Sequence, residues 1–330
     1  MRIAHCSDLH LLSLVGVRIL DFANKRWIGG LNLLSNRGRS YHTSAFEAMI
    51  DDFNAAFQAG DLDHIICTGD ITNLAMQQEF RFARDLFDRI ELGPEQITVL
   101  PGNHDAYIAR GNQYFSEIFS EYHQPDPEWH AGSSGKRRDH AQAWPVVRIR
   151  GPVAIIALST SLQTPWFTAY GRLDDGQLER LGAILDDPRL SDKLRLVAIH
   201  HPPAGRRAAN RVRGLRDHGR FAEVIAAHGA ELIIHGHEHR DMHNQLAGPD
   251  DTRIDVLGVP SGTYEGHHTD RTASYRIFEI ADPSESETAG SQGPHRPRIL
   301  GHTLRRWNSD RGHFEALEDP ADDNATDTAA

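Results

Sequence analysis

The chain has 330 residues, 39% of them hydrophobic and 25% charged, with a formal net charge of −11. Such a balance describes a folded globular protein and excludes a disordered or collagen-like chain, while the acidic surplus argues against a general nucleic-acid footprint, which wants a basic face. Two cysteines, Cys6 and Cys67, are too few for a disulfide framework and read as small buried thiols in a reducing compartment. The chain shows no charged-then-apolar leader and no apolar run near ~18 residues, so the expected location is cytoplasmic.

Short apolar runs alternate with helix-like stretches, which predicts α/β units. The first run, "RIAHCSDLH", precedes a helix over 43–60 with Thr43 as its N-cap and Gly60 as its stop. "HIICTGD" follows, then a helix over 75–93 closed by Gly93, then "ITVLPGNHD". Residues 144–160, "WPVVRIRGPVAIIALST", read as a hairpin pivoting on Gly151 and Pro152. Beyond it come a helix over 174–187, the run "LRLVAIHHPP", a helix over 219–229 ending at Gly229, and "ELIIHGHEH". "TRIDVLGV" and "TASYRIFEIA" read as late antiparallel strands, 282–298 as a polar loop, and "ILGHTLRRW" as a last strand. Neither a repeat nor a dividing linker is visible. The pattern therefore predicts one domain over 1–306, built on a mixed sheet or two packed sheets, and an acidic disordered tail over 307–330.

Every apolar run that precedes a turn ends in possible metal ligands. These are Asp8 and His10; Asp70 after Gly69; Asn103, His104 and Asp105 after Gly102; His200; and His237 and His239 after Gly236. Strand ends are where open α/β sheets place their sites. His235, His237 and His239 share one parity of an extended chain, and Gly236 between them would let backbone approach closely. Carboxylate, imidazole and amide oxygen together suit Mn²⁺, Fe²⁺ or Zn²⁺. Two such ions about 3.5 to 4 Å apart clamp a phosphoryl group, lower the pKa of a bridging water and stabilise the attacking and leaving oxygens. No Ser-His-Asp arrangement and no phosphate-cradling GxxxxGK[ST] loop is present. One Asp-x-His triplet means little, but five such blocks in order are specific.

In that order, "SDLH", "GD", "GNHD", "HHPP" and "GHEH" resemble the signature blocks of the calcineurin-like metallophosphoesterases, over residues 3 to about 240. The resemblance implies a four-layer α/β/β/α sandwich of two mixed β-sheets flanked by helices, holding two divalent ions, Mn²⁺ ahead of Fe²⁺ or Zn²⁺. It assigns one ion to Asp8, His10, Asp70 and His239 and the other to Asp70, Asn103, His200 and His237, with Asp70 bridging. His201 is then expected behind the ligands, and His235 to orient or pack. His104, outside the ligand set, is the expected donor of a proton to the leaving oxygen, with Asp105 positioning its ring.

Two insertions bear on the substrate. Residues 11–39 are apolar and basic; Trp27, Ile28, Leu31 and Leu34 would form one stripe at helical spacing edged by Lys25 and Arg26, either to meet a membrane surface or to pack on the core. Residues 202–220 carry Arg206, Arg207, Arg211 and Arg213, whose guanidinium forks match phosphate oxygens. "NKRWIGGLNLL" is similar to an insertion in the UDP-2,3-diacylglucosamine pyrophosphatases, whereas His104 is similar to branches that cleave cyclic nucleotides or glycerophosphodiesters. The expected activity is hydrolysis of a phosphodiester or pyrophosphate bond in an anionic ester, either lipid-linked or soluble. A nuclease and a silent binding scaffold are the alternatives; a scaffold would be expected to have lost ligands, and none is missing.

Overall fold

The computed structural model describes residues 1–13, 41–108, 110–129, 143–266, 269–281 and 296–317. The apolar runs fold into two six-stranded sheets. The first sheet joins β1 (Arg2–Cys6), β2 (His64–Cys67) and β3 (Ile97–Val99) to three late strands, β10 (Ser274–Ala281), β11 (Arg298–Asn308) and β12 (His313–Ala316). Its order is β12-β11-β10-β1-β2-β3, with β1, β2 and β3 parallel and the late strands antiparallel. The second sheet is β4 (Val146–Arg150), β5 (Val153–Ala157), β6 (Leu194–Ala198), β7 (Leu232–His235), β9 (Arg253–Gly258) and β8 (Met242–Ala247), in that spatial order. Both sheets are mixed.

Helices cover the sheets. On the first half lie α1 (Thr43–Gln58), α2 (Gln77–Phe87) and α3 (Gly111–Ile118); on the second, α4 (Asp175–Leu185), the single turn α5 (Gly205–Ala208) and α6 (His218–His228). Strand parity sorts the second sheet's side chains between two cores. Ile155, Leu196 and Ile234 join Ile3 and Ile65 of the first sheet in one cluster. Their neighbours Ile156, Val197 and Ile233 join Leu178, Leu181 and Leu185 of α4 and Phe221 and Ile225 of α6 in the other. A strand buried on both faces needs apolar residues at every position, which is why these runs read as continuous rather than alternating.

Several expectations change. The residues expected as the strand "TRIDVLGV" do form β9, but β9 runs parallel to β7 and antiparallel only to β8. The edge strand β8 alternates half-buried and exposed residues, so its sequence carries too little apolar signal to be read as a strand. Helix α2 stops at Phe87, and Ile90 and Leu92, which extended its apolar pattern, are buried from a turn instead. Thr43 is the first residue of α1 and not its cap; His42 holds that position. The folded chain also continues past 306 into β12, where buried Phe314 sets its ring 5.3 Å from Tyr275 and 5.5 Å from Trp307. Cys6 and Cys67 face each other across β1 and β2 as buried free thiols. Lys25, Arg26, Trp27, Ile28, Leu31 and Leu34 lie outside the described residues. Among the described residues no helix is long and apolar enough to cross a membrane.

Candidate metal centre

The parallel strands β1, β2, β3, β6 and β7 deliver all seven expected ligands just past their C-terminal ends. Each chain turns sharply as it leaves its strand. Asp8, His10, Asp70, His237 and His239 have φ of 54°, 45°, 53°, 72° and 53°, a left-handed conformation that costs an L-residue about 1–2 kcal/mol. Strain of this kind clusters at functional sites. It also corrects the parity argument: β7 ends at His235, so His237 and His239 are set by turns and not by strand alternation. The close approach expected at Gly236 is present, because a Cβ there would meet Ser7 Oγ and the Asp8 carboxylate. Gly102 is tight for the same reason, since its Cβ would strike the Asp70 carboxylate.

The side chains converge in two groups that share Asp70. On one side His239 Nε2 lies 3.1 Å from Asp8 Oδ1 and 3.1 Å from His10 Nε2, and His10 Nε2 lies 3.9 Å from Asp70 Oδ2. On the other, His200 Nε2 lies 3.4 Å from Asp70 Oδ1 and 3.2 Å from Asn103 Oδ1. The rings of His200 and His237 sit 5.2 Å apart, and the donor atoms of Asp70, His200 and His237 lie within 4.8 Å of one another. Asp70 thus turns one oxygen to each group.

These residues fit a pair of divalent cations. Electron-rich atoms face each other in a buried space, and His237 Nε2 is buried with no hydrogen-bond partner among the described residues, an arrangement that is costly without an electron-poor group to receive it. Hydrogen bonds from main chain and side chains orient the rings as metal-ligating histidines require. His200 Nδ1–H donates to the Thr68 carbonyl at 2.7 Å, so Nε2 is the nitrogen that, once deprotonated, would offer its lone pair to a cation. His239 Nδ1 meets the Tyr41 hydroxyl at 3.1 Å. His201 uses both nitrogens, on Thr160 Oγ1 at 2.7 Å and the Ala169 carbonyl at 3.0 Å, and so stands behind the ligands as expected, with its ring 4.2 Å from His237.

Charge at the centre is finely balanced. Burial opposes ionisation of Asp8, but His239 and His200 outweigh it and hold the carboxyl low. Burial, then His104 and His239, keep His10 far below the usual imidazole range; burial, then His201 and His200, do the same to His237. His200 goes the other way. Burial pushes it down, yet the adjacent Asp70 more than reverses this, and its imidazole is pushed up to about 9.

His104 sits at the edge, its ring 4.7 Å from His10 and stacked on Tyr107 at 5.8 Å. Its Nδ1–H donates to the Asn73 carbonyl at 2.7 Å. Asp105 does not position this ring. Its carboxylate instead accepts from Thr72 N and Oγ1, each at 2.9 Å, from Gly102 N at 2.9 Å and from Ile71 N at 3.2 Å, locking the Asp70 turn to the Asn103 turn. Burial and the Asp70 charge push Asp105 up to about 6. The arginines expected to bind substrate divide. Arg207 is paired with Glu238, which lies between two ligands. Arg206 and Arg211 are exposed without an ion pair among the described residues, while exposed Arg213 is near enough for its charge to bear on His237.

Tyr41, Thr68, Asn73, Ser261 and Thr263 escaped the sequence reading. Ser261 Oγ donates to the Asp8 carbonyl at 2.6 Å and Thr263 Oγ1 to the Leu9 carbonyl at 2.7 Å, fixing the first turn from 253 and 254 residues away. Only the buried run before Ser261 hinted at a further strand end there.

A family model for calcineurin-like phosphoesterases matches residues 1–241. The chain belongs to that family. The calcineurin-like phosphoesterases depend on two metal ions, and the five blocks lie within the matched residues and supply the converging candidate ligands described above. Among solved structures, a dimetal phosphatase from Danio rerio is similar at 14% identity and a TM-score of 0.50, covering 84% of this chain and 91% of its own. A purple acid phosphatase from yellow lupin seeds is similar at 10% identity and a TM-score of 0.52, covering 96% of this chain and 52% of its own. At those identities the likeness is one of fold. No curated protein sequence matches the phosphoesterase chain.

Proposed function

We propose that this phosphoesterase hydrolyses a phosphodiester or pyrophosphate bond in an anionic ester and uses two divalent cations, Mn²⁺ first. Asp8, His10, Asp70 and His239 would hold one, and Asp70, Asn103, His200 and His237 the other. The observation that carries the reading is Asp70, whose Oδ2 faces His10 and whose Oδ1 faces His200. Bound cations of this kind supply an activated water and neutralise charge on the phosphoryl oxygens.

The chain's own residues do the rest. With Nδ1–H committed to the Asn73 carbonyl, His104 can exchange a proton only at Nε2, and from there it gives that proton to the departing oxygen. Asp105 keeps the Asp70 and Asn103 turns in register, and Arg213 adds positive charge on the His237 side. The test is hydrolysis of bis-p-nitrophenyl phosphate by chelator-treated protein. Activity is expected to vanish on chelation and to return with Mn²⁺. Hydrolysis indifferent to the chelator, or none with Mn²⁺, Fe²⁺ or Zn²⁺, counts against the proposal.

A further inference from the structure

We propose that Trp166 and Phe167, with Arg213 beside them, form a subsite that stacks a planar aromatic ring of the substrate, such as a nucleobase, while its phosphate sits at the metal centre. The inference rests on the phosphoesterase reading above. A segment that leaves β5 is fastened to the centre at both ends. At one end Thr160 Oγ1 bonds His201 Nδ1 at 2.7 Å, and Ser161 Oγ donates to the carbonyl of Gly102, next to the ligand Asn103, at 2.8 Å. At the other, His201 Nε2–H donates to the Ala169 carbonyl at 3.0 Å, and His201 packs on the ligand His237. The short span between Ser161 and Ala169 is therefore held on the side of Asn103, His200 and His237.

That span presents apolar surface to solvent. Trp166 is 54% exposed and Phe167 76%. Phe167 also has a φ of 64°, which an aromatic residue rarely adopts and which the surrounding contacts must impose. The arginine-rich stretch runs alongside the end of this span, joined to it by Ala169 N donating to the Val212 carbonyl at 2.9 Å and Gly171 N to the Gly214 carbonyl at 3.1 Å. Val212 is itself 47% exposed, with Arg211 and Arg213 on either side of it. A cation whose charge bears on His237 and a patch of exposed aromatic surface thus belong to two stretches bonded to each other, which suits an ester whose phosphate is followed by a ring. An acyl chain would want an enclosed aliphatic groove, whereas among the described residues the large exposed apolar side chains of this region are Trp166, Phe167 and Val212, two of the three aromatic. A planar ring needs no enclosure, because it is bound face to face.

The experiment compares two diesters on the Mn²⁺-loaded full chain, 2′,3′-cyclic AMP with a ring and glycerophosphocholine without one. The double variant Trp166→Ala/Phe167→Ala is expected to raise KM for the cyclic nucleotide ~10-fold or more and to leave its kcat and the ring-free KM within about twofold. Trp166→Phe with Phe167→Tyr should restore the lower KM. Calorimetry adds a readout free of turnover: AMP binding should weaken in the double variant, and glycerol 3-phosphate binding should not. Equal KM changes on both diesters, a loss confined to kcat, wild-type preference for the ring-free diester, or a matching loss on an acyl-bearing diester would each overturn the subsite and leave the phosphoesterase reading standing. Wild type that cleaves neither diester with Mn²⁺, Fe²⁺ or Zn²⁺ overturns both.

Discussion

At His104, one hydrogen bond decides which atom can do chemistry: Nδ1–H is spent on the Asn73 carbonyl, so Nε2 is the atom left to carry a transferable proton. His104→Ala should keep the metals and lose rate by ~10²-fold or more on esters with poor leaving groups, and much less on nitrophenyl esters, which need little protonation. Equal losses on both, at full metal content, would reduce the residue to a turn former. His200 makes a prediction about pH. Burial lowers its imidazole, but Asp70 more than reverses this, so with no cation bound it is pushed up to about 9 from the ordinary 6.5. The stability it contributes is then fully present below its ordinary pKa and lost as pH rises through about 9. A cation must displace that proton, so metal affinity should rise with pH toward 9, with about one proton released from this group per chain near neutral pH. Calorimetry in two buffers of different ionisation enthalpy measures the release, and none at pH 7.5 would contradict it. Tyr41→Phe should weaken metal binding roughly 10-fold, because His239 loses the partner that orients it.

The turns are the elements that make the site, and their glycines are tests of it. Gly102→Ala would drive a methyl group into the Asp70 carboxylate, so metal content should fall while α4 and α6 stay packed. Leu181→Ala does the reverse: it hollows the core under α4 and should cost ~2–5 kcal/mol of stability in a denaturant melt, with metal content per folded chain unchanged. Strands such as β5, β6 and β7 were legible because both faces are buried, so their sequences are apolar throughout. β8 was not, because it is an edge with one wet face, and the direction of β9 was not, because pairing between strands leaves no local signature. The turns themselves were legible only as Gly, Asp and His after an apolar run. That the chain reverses at His237 and His239 follows from contacts with Ser7 and Asp8, more than 200 residues earlier.

In the whole molecule, two sheets aim the C-terminal ends of their parallel strands at one point, and cross-sheet bonds hold them there. His200 Nδ1 on the Thr68 carbonyl and His237 N on Asp8 Oδ2, at 2.7 and 2.8 Å, tie the second sheet's candidate ligands to the first sheet's turns. The candidate ligands could be read in the sequence because each lies within a short block beside its strand. Tyr41, Asn73 and Ser261 could not, because their roles exist only once the sheets have met. In the proposed centre the single shared carboxylate of Asp70 would make the two ion positions one unit. Elemental analysis of purified wild type and of Asp70→Ala tests this most directly. Close to two divalent ions per chain in wild type, and loss of both together in Asp70→Ala, is the expected result; one ion in wild type, or a variant that keeps both, would contradict the dinuclear centre.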